Sequence, residues 1–134
     1  RKIHKTYLAI CHGTFQNKKG EIRGNLIKYE KEKKISELAI TNYKVLDSNN
    51  FFSFVELRPI TGRKHQLRKQ LSSMGNPIIG DNKYSFMKLK KNSEKKLMLH
   101  AYKIKFLINN KKFNFEAELP DYFKDYLNKK RLIV

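Results

Sequence analysis

Between Arg58 and Tyr84 the chain changes period, and that change limits what can lie on either side of it. The run RPITGRKHQLRKQLSSMGNPIIGDNKY leaves a strand pattern at Pro59, turns at Thr61-Gly62 and then spaces its apolar residues as a helix does. The spacing predicts a helix from about Arg63 to Met74, capped by Thr61-Gly62 and closed by Gly75, with Leu67, Leu71 and Met74 as its buried stripe. Lys64 and Arg68 then share one flank, and His65 stands one turn before Arg68.

Strand patterns surround this helix. His4 to His12 alternate, with Leu8 and Ile10 on one face and Lys5, Tyr7, Ala9 and Cys11 on the other. Gly13 to Gly20 read as a loop, Asn25 to Tyr29 as a short strand, and Glu30 to Lys34 as a charged turn. Leu38 to Leu46 and Phe51 to Arg58 are rich in β-branched and aromatic residues, and Asp47 to Asn50 supply the turn of an antiparallel hairpin. After the helix, Lys83 to Lys96 hold too many lysines for a core element and read as an exposed loop. Leu97 to Ile108 and Lys112 to Leu119 form a second hairpin around Asn109-Asn110, with Met98, His100, Tyr102, Ile104 and Phe106 opposite a face bearing Lys103 and Lys105. Pro120 opens a last helix that turns Phe123, Tyr126 and Leu127 inward. With no repeated strand–helix–strand unit, the pattern is an α+β domain, a mainly antiparallel mixed sheet with flanking helices, and 134 residues suffice for one such domain.

Charge says what such a domain would meet. The formal net charge is +18, and residues 58 to 112 hold 15 Lys and Arg against Asp81 and Glu94 alone. A surface so positive attracts polyanions, nucleic acid first among them. Cys11 has no second cysteine to pair with, and no apolar run reaches the roughly 18 residues of a membrane span, so the cytosol is the expected compartment. The first residue is Arg, inside a strand pattern, which leads us to expect sequence upstream.

Most familiar chemistries find no support. GxxxxGK[ST] and GxGxxG are absent. His4 and His12 face the same way but stand about 27 Å apart at strand rise, too far to share a metal. Cys11 fits an ordinary buried position better than a nucleophile. On spacing alone, the basic helix is most simply a solvated face and Tyr7 a packing residue.

Taken together, the motifs resemble the RluA-type pseudouridine synthases. The resemblance rests on Lys5-Thr6-Tyr7 with Ala9, on Ala39 to Val45 as A-x-T-x-Y-x-V, and on TGRKHQLRKQL at Thr61 to Leu71. It continues through GNPIIGDNKY at Gly75 to Tyr84, LHA at Leu99 to Ala101 and FEAELP at Phe115 to Pro120, in the family's order. It implies an RNA-directed isomerase that converts specific uridines to pseudouridine, in large-subunit ribosomal RNA or in transfer RNA, with no cofactor and no metal. Tyr7 would pack against the target uracil, and Arg68 would pair with the catalytic aspartate and keep it ionised. Gly62, Arg63, Lys64, His65, Gln66 and Lys69 would shape the helix start and contact RNA, while Asp81 reads as structural.

The family's catalytic aspartate sits in an HRLD-type motif before the K-x-Y tyrosine, and no such motif occurs here. Residues 1–134 are therefore expected to be the C-terminal portion of a catalytic domain, inactive alone. A module that grips RNA without chemistry is the competing reading.

Overall fold

The computed structural model describes residues 3–85 and 94–133. Six strands and two helices follow one another as β1 Ile3–His12, β2 Lys19–Glu30, β3 Lys33–Ser48, β4 Phe52–Pro59, α1 Gln66–Ser73, β5 Leu99–Ile108, β6 Lys111–Glu116 and α2 Asp121–Lys129. The strands form one sheet in the order β2-β3-β4-β1-β5-β6, and every neighbouring pair is antiparallel. The α+β architecture is as the sequence implies, with the first strand of the chain in the sheet's interior.

Two hairpins turn on residues with positive φ. Asn109 and Asn110 (φ 51° and 66°) join β5 to β6, and Lys31 and Glu32 (φ 50° and 68°) join β2 to β3. Positive φ at both central residues gives a turn whose twist matches that of the strands it joins. Asparagine tolerates that geometry, and Asn109-Asn110 is legible as a turn; Lys-Glu is an unusual choice. The strand expected only over Asn25 to Tyr29 is in fact 12 residues long, paired in register with β3 from Lys19↔Lys44 to Glu30↔Lys33. It takes in Lys19 and Gly20 from the expected loop.

The core straddles the sheet. Leu8, Ala9, Ile10 and Cys11 are all buried, because α1 covers one face of β1 and α2 the other. Leu67 and Leu71 of α1 and Phe123 and Leu127 of α2 are the buried helix positions; Tyr126 is half-buried. Phe123 meets Phe54 of β4 edge-on, with ring centroids 6.1 Å apart. Met74, expected in the α1 stripe, is 38% exposed, because the helix ends at Ser73 and Gly75 (φ 90°) carries the chain away. The expected loop Lys83–Lys96 is described only at its ends, where Lys83 to Ser85 and Glu94 to Lys96 are neither strand nor helix; residues 86–93 lie outside the described residues.

The β1/β5 ladder contains one irregularity. Thr6 pairs with Lys103 and Tyr7 with Ala101, which leaves Tyr102 as the extra residue of a bulge. The bulge breaks the alternation read along Met98 to Phe106, so that His100 falls on the same face as Lys103 and Lys105. Bulges re-aim side chains, and this one lies beside Tyr7.

Among the described residues no helix is long and apolar enough to cross a membrane.

Candidate active site

The start of α1 differs from its expected form. Thr61 and Gly62 do not cap it; the helix begins at Gln66, and His65 occupies the cap position in the left-handed region (φ 53°) without a side-chain cap. Thr61 is used elsewhere. Its hydroxyl oxygen accepts the Ile40 N–H at 3.0 Å, and its proton goes to the Gln66 amide oxygen at 2.6 Å. The same Gln66 oxygen accepts the Arg63 N–H at 3.0 Å, while the Gln66 amide nitrogen donates to the Ile40 carbonyl and to the Thr41 hydroxyl. Thr41 in turn donates to Gln70 at 2.5 Å, whose nitrogen reaches the carbonyls of Ala39 and Ile22. Gln66 and Gln70, four residues apart and both 4% exposed, thus clasp α1 to β2 and β3. A buried polar group must find partners inside the fold, and this spacing beside Leu67 and Leu71 is the signal that could have found the clasp.

The clasp sets the wall of a cleft of about 410 Å³ between β1, the β4–α1 connection and α1 itself. Tyr7 and Lys5 line it from β1; Gly62, Arg63, His65, Gln66 and Arg68 line it from the other side. Six of the eight residues singled out from sequence therefore converge, although Tyr7 and Arg68 are 61 positions apart. Lys64 and Lys69 do not line the cleft; Lys64 is exposed, and the Lys69 ammonium lies 5.9 Å from the Tyr84 ring centroid. Arg63 is tied down to β3, with Nε donating to the Leu38 carbonyl at 2.9 Å and Nη1 facing Glu37 at 3.3 Å.

Arg68 already has a partner within the chain. Nε and Nη2 donate to the two carboxylate oxygens of Asp81 at 3.0 and 2.9 Å, a side-on bidentate pair. Asp81 is 2% exposed and also accepts the backbone N–H groups of Lys83 and Tyr84 at 3.0 and 2.9 Å. Burial works to raise the Asp81 pKa, but the Arg68 hydrogen bonds, the two amides and the Arg68 charge outweigh it and hold the carboxyl below its ordinary value. The same hydrogen bond, against the opposing effect of burial, raises the pKa of Arg68. Asp81, expected to be structural, is buried and holds Arg68 side-on. Among the described residues, Nη1 of Arg68 has no hydrogen-bond partner.

Tyr84 completes the arrangement. The Arg68 guanidinium carbon lies 5.0 Å from its ring centroid, its hydroxyl is 2.6 Å from Nδ1 of His65, and Ser72 donates to its carbonyl. Partial desolvation and repulsion from Arg68, Lys83, Lys64 and Lys69 lower the His65 pKa. The contact with the Tyr84 hydroxyl uses the ring as a hydrogen-bonding group. Tyr84 escaped the sequence reading as a site residue because only the fold brings it against α1.

Gly80 makes this possible. Its φ is 84°, and a Cβ there would collide with the carbonyl of Lys96, so only glycine lets the segment after residue 93 pass beside the Asp81 turn. Cys11 is fully buried and its thiol pKa is pushed far up by desolvation, which makes it a core residue. Among the described residues no three His, Cys, Asp or Glu side chains are placed to hold a metal ion.

Comparison with known proteins bears on this geometry directly. Residues 1–73, which include Tyr7 and Arg68 but not Asp81 or Tyr84, match the family described as RNA pseudouridylate synthase. A Rickettsia bellii protein named ribosomal large subunit pseudouridine synthase C is 44% identical over 136 residues, covering 90% of this chain and 44% of its own length. A Borreliella burgdorferi protein named ribosomal large subunit pseudouridine synthase D is 33% identical, covering 96% of this chain and 41% of its own. The chain thus spans less than half the length of these relatives. The solved structure of human RNA pseudouridylate synthase domain containing 4 superposes with a TM-score of 0.83 at 29% identity, over 98% of this chain and 64% of that one. Human RNA pseudouridylate synthase domain containing 1, at 24% identity and a TM-score of 0.75, shares the fold. With more than half of its residues inside the family's own pattern, the chain belongs to the RNA pseudouridylate synthases.

Proposed function

We propose that the intact protein isomerises specific uridines of RNA to pseudouridine, and that residues 1–134 supply the C-terminal portion of its catalytic domain. The observation that carries the reading is the convergence of Tyr7 and Arg68 on one cleft from opposite walls. In this reading Tyr7 packs against the target uracil, which must leave its stack to enter, as a base does when an enzyme acts on it directly. The catalytic carboxylate comes from sequence before Arg1, in the position of the family's HRLD-type motif. Arg68, held side-on by Asp81, keeps its Nη1 for that second carboxylate and favours its ionised form.

The surrounding groups divide by what they have left to offer. Gln66 spends both donors and acceptor inside the fold, so it shapes the helix start, whereas His65, Lys64 and Lys69 remain available to RNA. Large-subunit ribosomal RNA is the proposed substrate, in line with the names of the relatives from Rickettsia and Borreliella.

The reaction breaks the N1–C1′ bond, forms C5–C1′ and expels the hydrogen from C5. Release of tritium to water from RNA labelled as [5-³H]uridine, with the intact protein, therefore measures it directly. No release above background on any cellular RNA would leave only the binding module.

A further inference from the structure

Tyr7 and its partner Leu57 lie on the face of the sheet that α1 covers, so the strand neighbours Glu56 and Arg58 point to the other face. There α2 packs over Phe54 and His100 through Phe123, and among the described residues nothing covers the sheet beyond Glu56. On this bare end like charges oppose one another across strands. Lys19 of β2 is the direct partner of Lys44 of β3. Like charges placed opposite in a sheet cost stability. Among the described residues no carboxylate forms an ion pair with Lys19, Lys44 or Lys105; the acids nearby, Glu56 and Glu116, pair with Arg58 and Lys103.

The bare end is also concave and continuous. One hollow of about 540 Å³ is lined by Lys19, Lys44 and Arg58, and a second of about 480 Å³ by His4, Arg58, Lys103 and Lys105. Both include Asn42, Glu56 and Arg58, and the second shares Lys5, Pro59 and Ile60 with the Tyr7 cleft. A basic path therefore leads from the cleft round the end of β1 and β4 onto the opposite face. Uncompensated lysines at matched positions, a groove and an unbroken connection to the cleft together call for a polyanion that extends from the cleft.

We propose that this path binds the phosphodiester backbone of the RNA strand that flanks the target nucleotide, through phosphate contacts that carry no sequence preference. The inference rests on the reading of the cleft as an RNA site and adds a second contact surface behind the sheet. Lys19, Lys44, Lys105 and Arg58 hold the phosphates, and Lys5 joins the two surfaces.

The test uses the intact protein carrying Lys44→Glu with Lys105→Glu, beside a control of equal charge, Lys124→Glu with Lys129→Glu on the exposed side of α2. Binding of a labelled stem–loop RNA is followed as salt is varied. Relative to the control, we expect the path variant to bind at least about tenfold more weakly and to lose about two from its log–log salt slope, one for each phosphate contact. At saturating RNA its kcat stays as in the unaltered protein while KM rises. An oligonucleotide short enough to occupy only the cleft should be bound equally by both.

Affinity and slope equal to the control's overturn the path. Loss of affinity for the short oligonucleotide as well also overturns it, since the effect would then be a general one. Should the glutamate pair fail to fold, Lys44→Gln with Lys105→Gln gives the same comparison at half the charge change, and it should unfold at a higher temperature because the repulsion between Lys19 and Lys44 is relieved. The two readings fail separately. Tritium release by the unaltered protein with no effect of the path variant removes the path alone, whereas weakened binding by the path variant with no release from any RNA removes the isomerase alone.

Discussion

Asp81→Asn tests whether the pair with Arg68 is a working part of the fold. The carboxylate accepts four hydrogen bonds, two from Arg68 and two from the amides of Lys83 and Tyr84. Asparagine has the same shape and its oxygen can keep the two amides, but it then turns an NH2 group towards Arg68, donor against donor. Removing one partner of a buried ion pair costs about 3–5 kcal/mol. The Arg68 side chain is 19% exposed, so water recovers part of the loss, and we expect the low end, about 3 kcal/mol. For an intact protein of more than twice this length that lowers the Tm by about 6 °C at pH 7. The pH dependence follows from the direction of the shift. The folded pKa lies below the unfolded value of about 3.9, so the carboxylate's contribution is complete above about pH 5 and is lost as pH falls through the folded pKa. The gap between the two proteins should thus be constant from neutral pH to about 5 and close below about 4. Thermal unfolding of the intact protein over this range is the assay. A gap under about 0.5 kcal/mol at pH 7, or one unchanged in strong acid, would refute the assignment.

Three other outcomes are expected. Arg68→Ala should lower tritium release by at least about a hundredfold with little change in RNA affinity; unaltered turnover would take Arg68 out of the site. Gly80→Ala, which combines a positive φ with the collision at Lys96, should cost at least about 2 kcal/mol in denaturant titrations, read as a lower midpoint at an unchanged slope. Cys11 should resist thiol reagents in the native protein and react only at the rate of unfolding, so rapid labelling in native buffer would contradict its burial.

The sequence was most legible where local chemistry and the fold agree. The strand over His4 to His12, the turn at Asn109-Asn110 and the proline that opens α2 each appear where their residues predict. It was least legible where distant partners override local preference. Thr61-Gly62 has the chemistry of a cap, but Thr61 gains more by serving Ile40 and Gln66, and the helix start moves on to Gln66. The charged turn read at Glu30 to Lys34 is there, at Lys31-Glu32, but β2 reads as much shorter than it is because its first half, Lys19 to Gly24, is mostly exposed and carries two glycines. For the site, helical spacing put Arg68 and His65 near each other but could not supply Asp81 or Tyr84, which meet α1 only through a turn closed by tertiary contacts. That Tyr7 and Arg68 belong to one site came from family resemblance, since nothing local links two residues so far apart.

The strand order has a consequence for how the chain is made. β2, β3 and β4 are consecutive neighbours and can close as a meander from contacts short in sequence, but β1 lies between β4 and β5. Once made, β1 must wait for β4 to give it one neighbour and for β5, some ninety residues later, to give it the other. Until then Leu8 to Cys11, all buried in the folded sheet, stay exposed in the nascent chain. Contacts of long sequence separation slow folding and prolong the exposure of sticky segments. The lysines that stand near that stretch, Lys2 and Lys5, would keep an unpaired β1 soluble by charge while it waits, so the positive charge proposed to meet RNA in the finished protein would also guard its assembly.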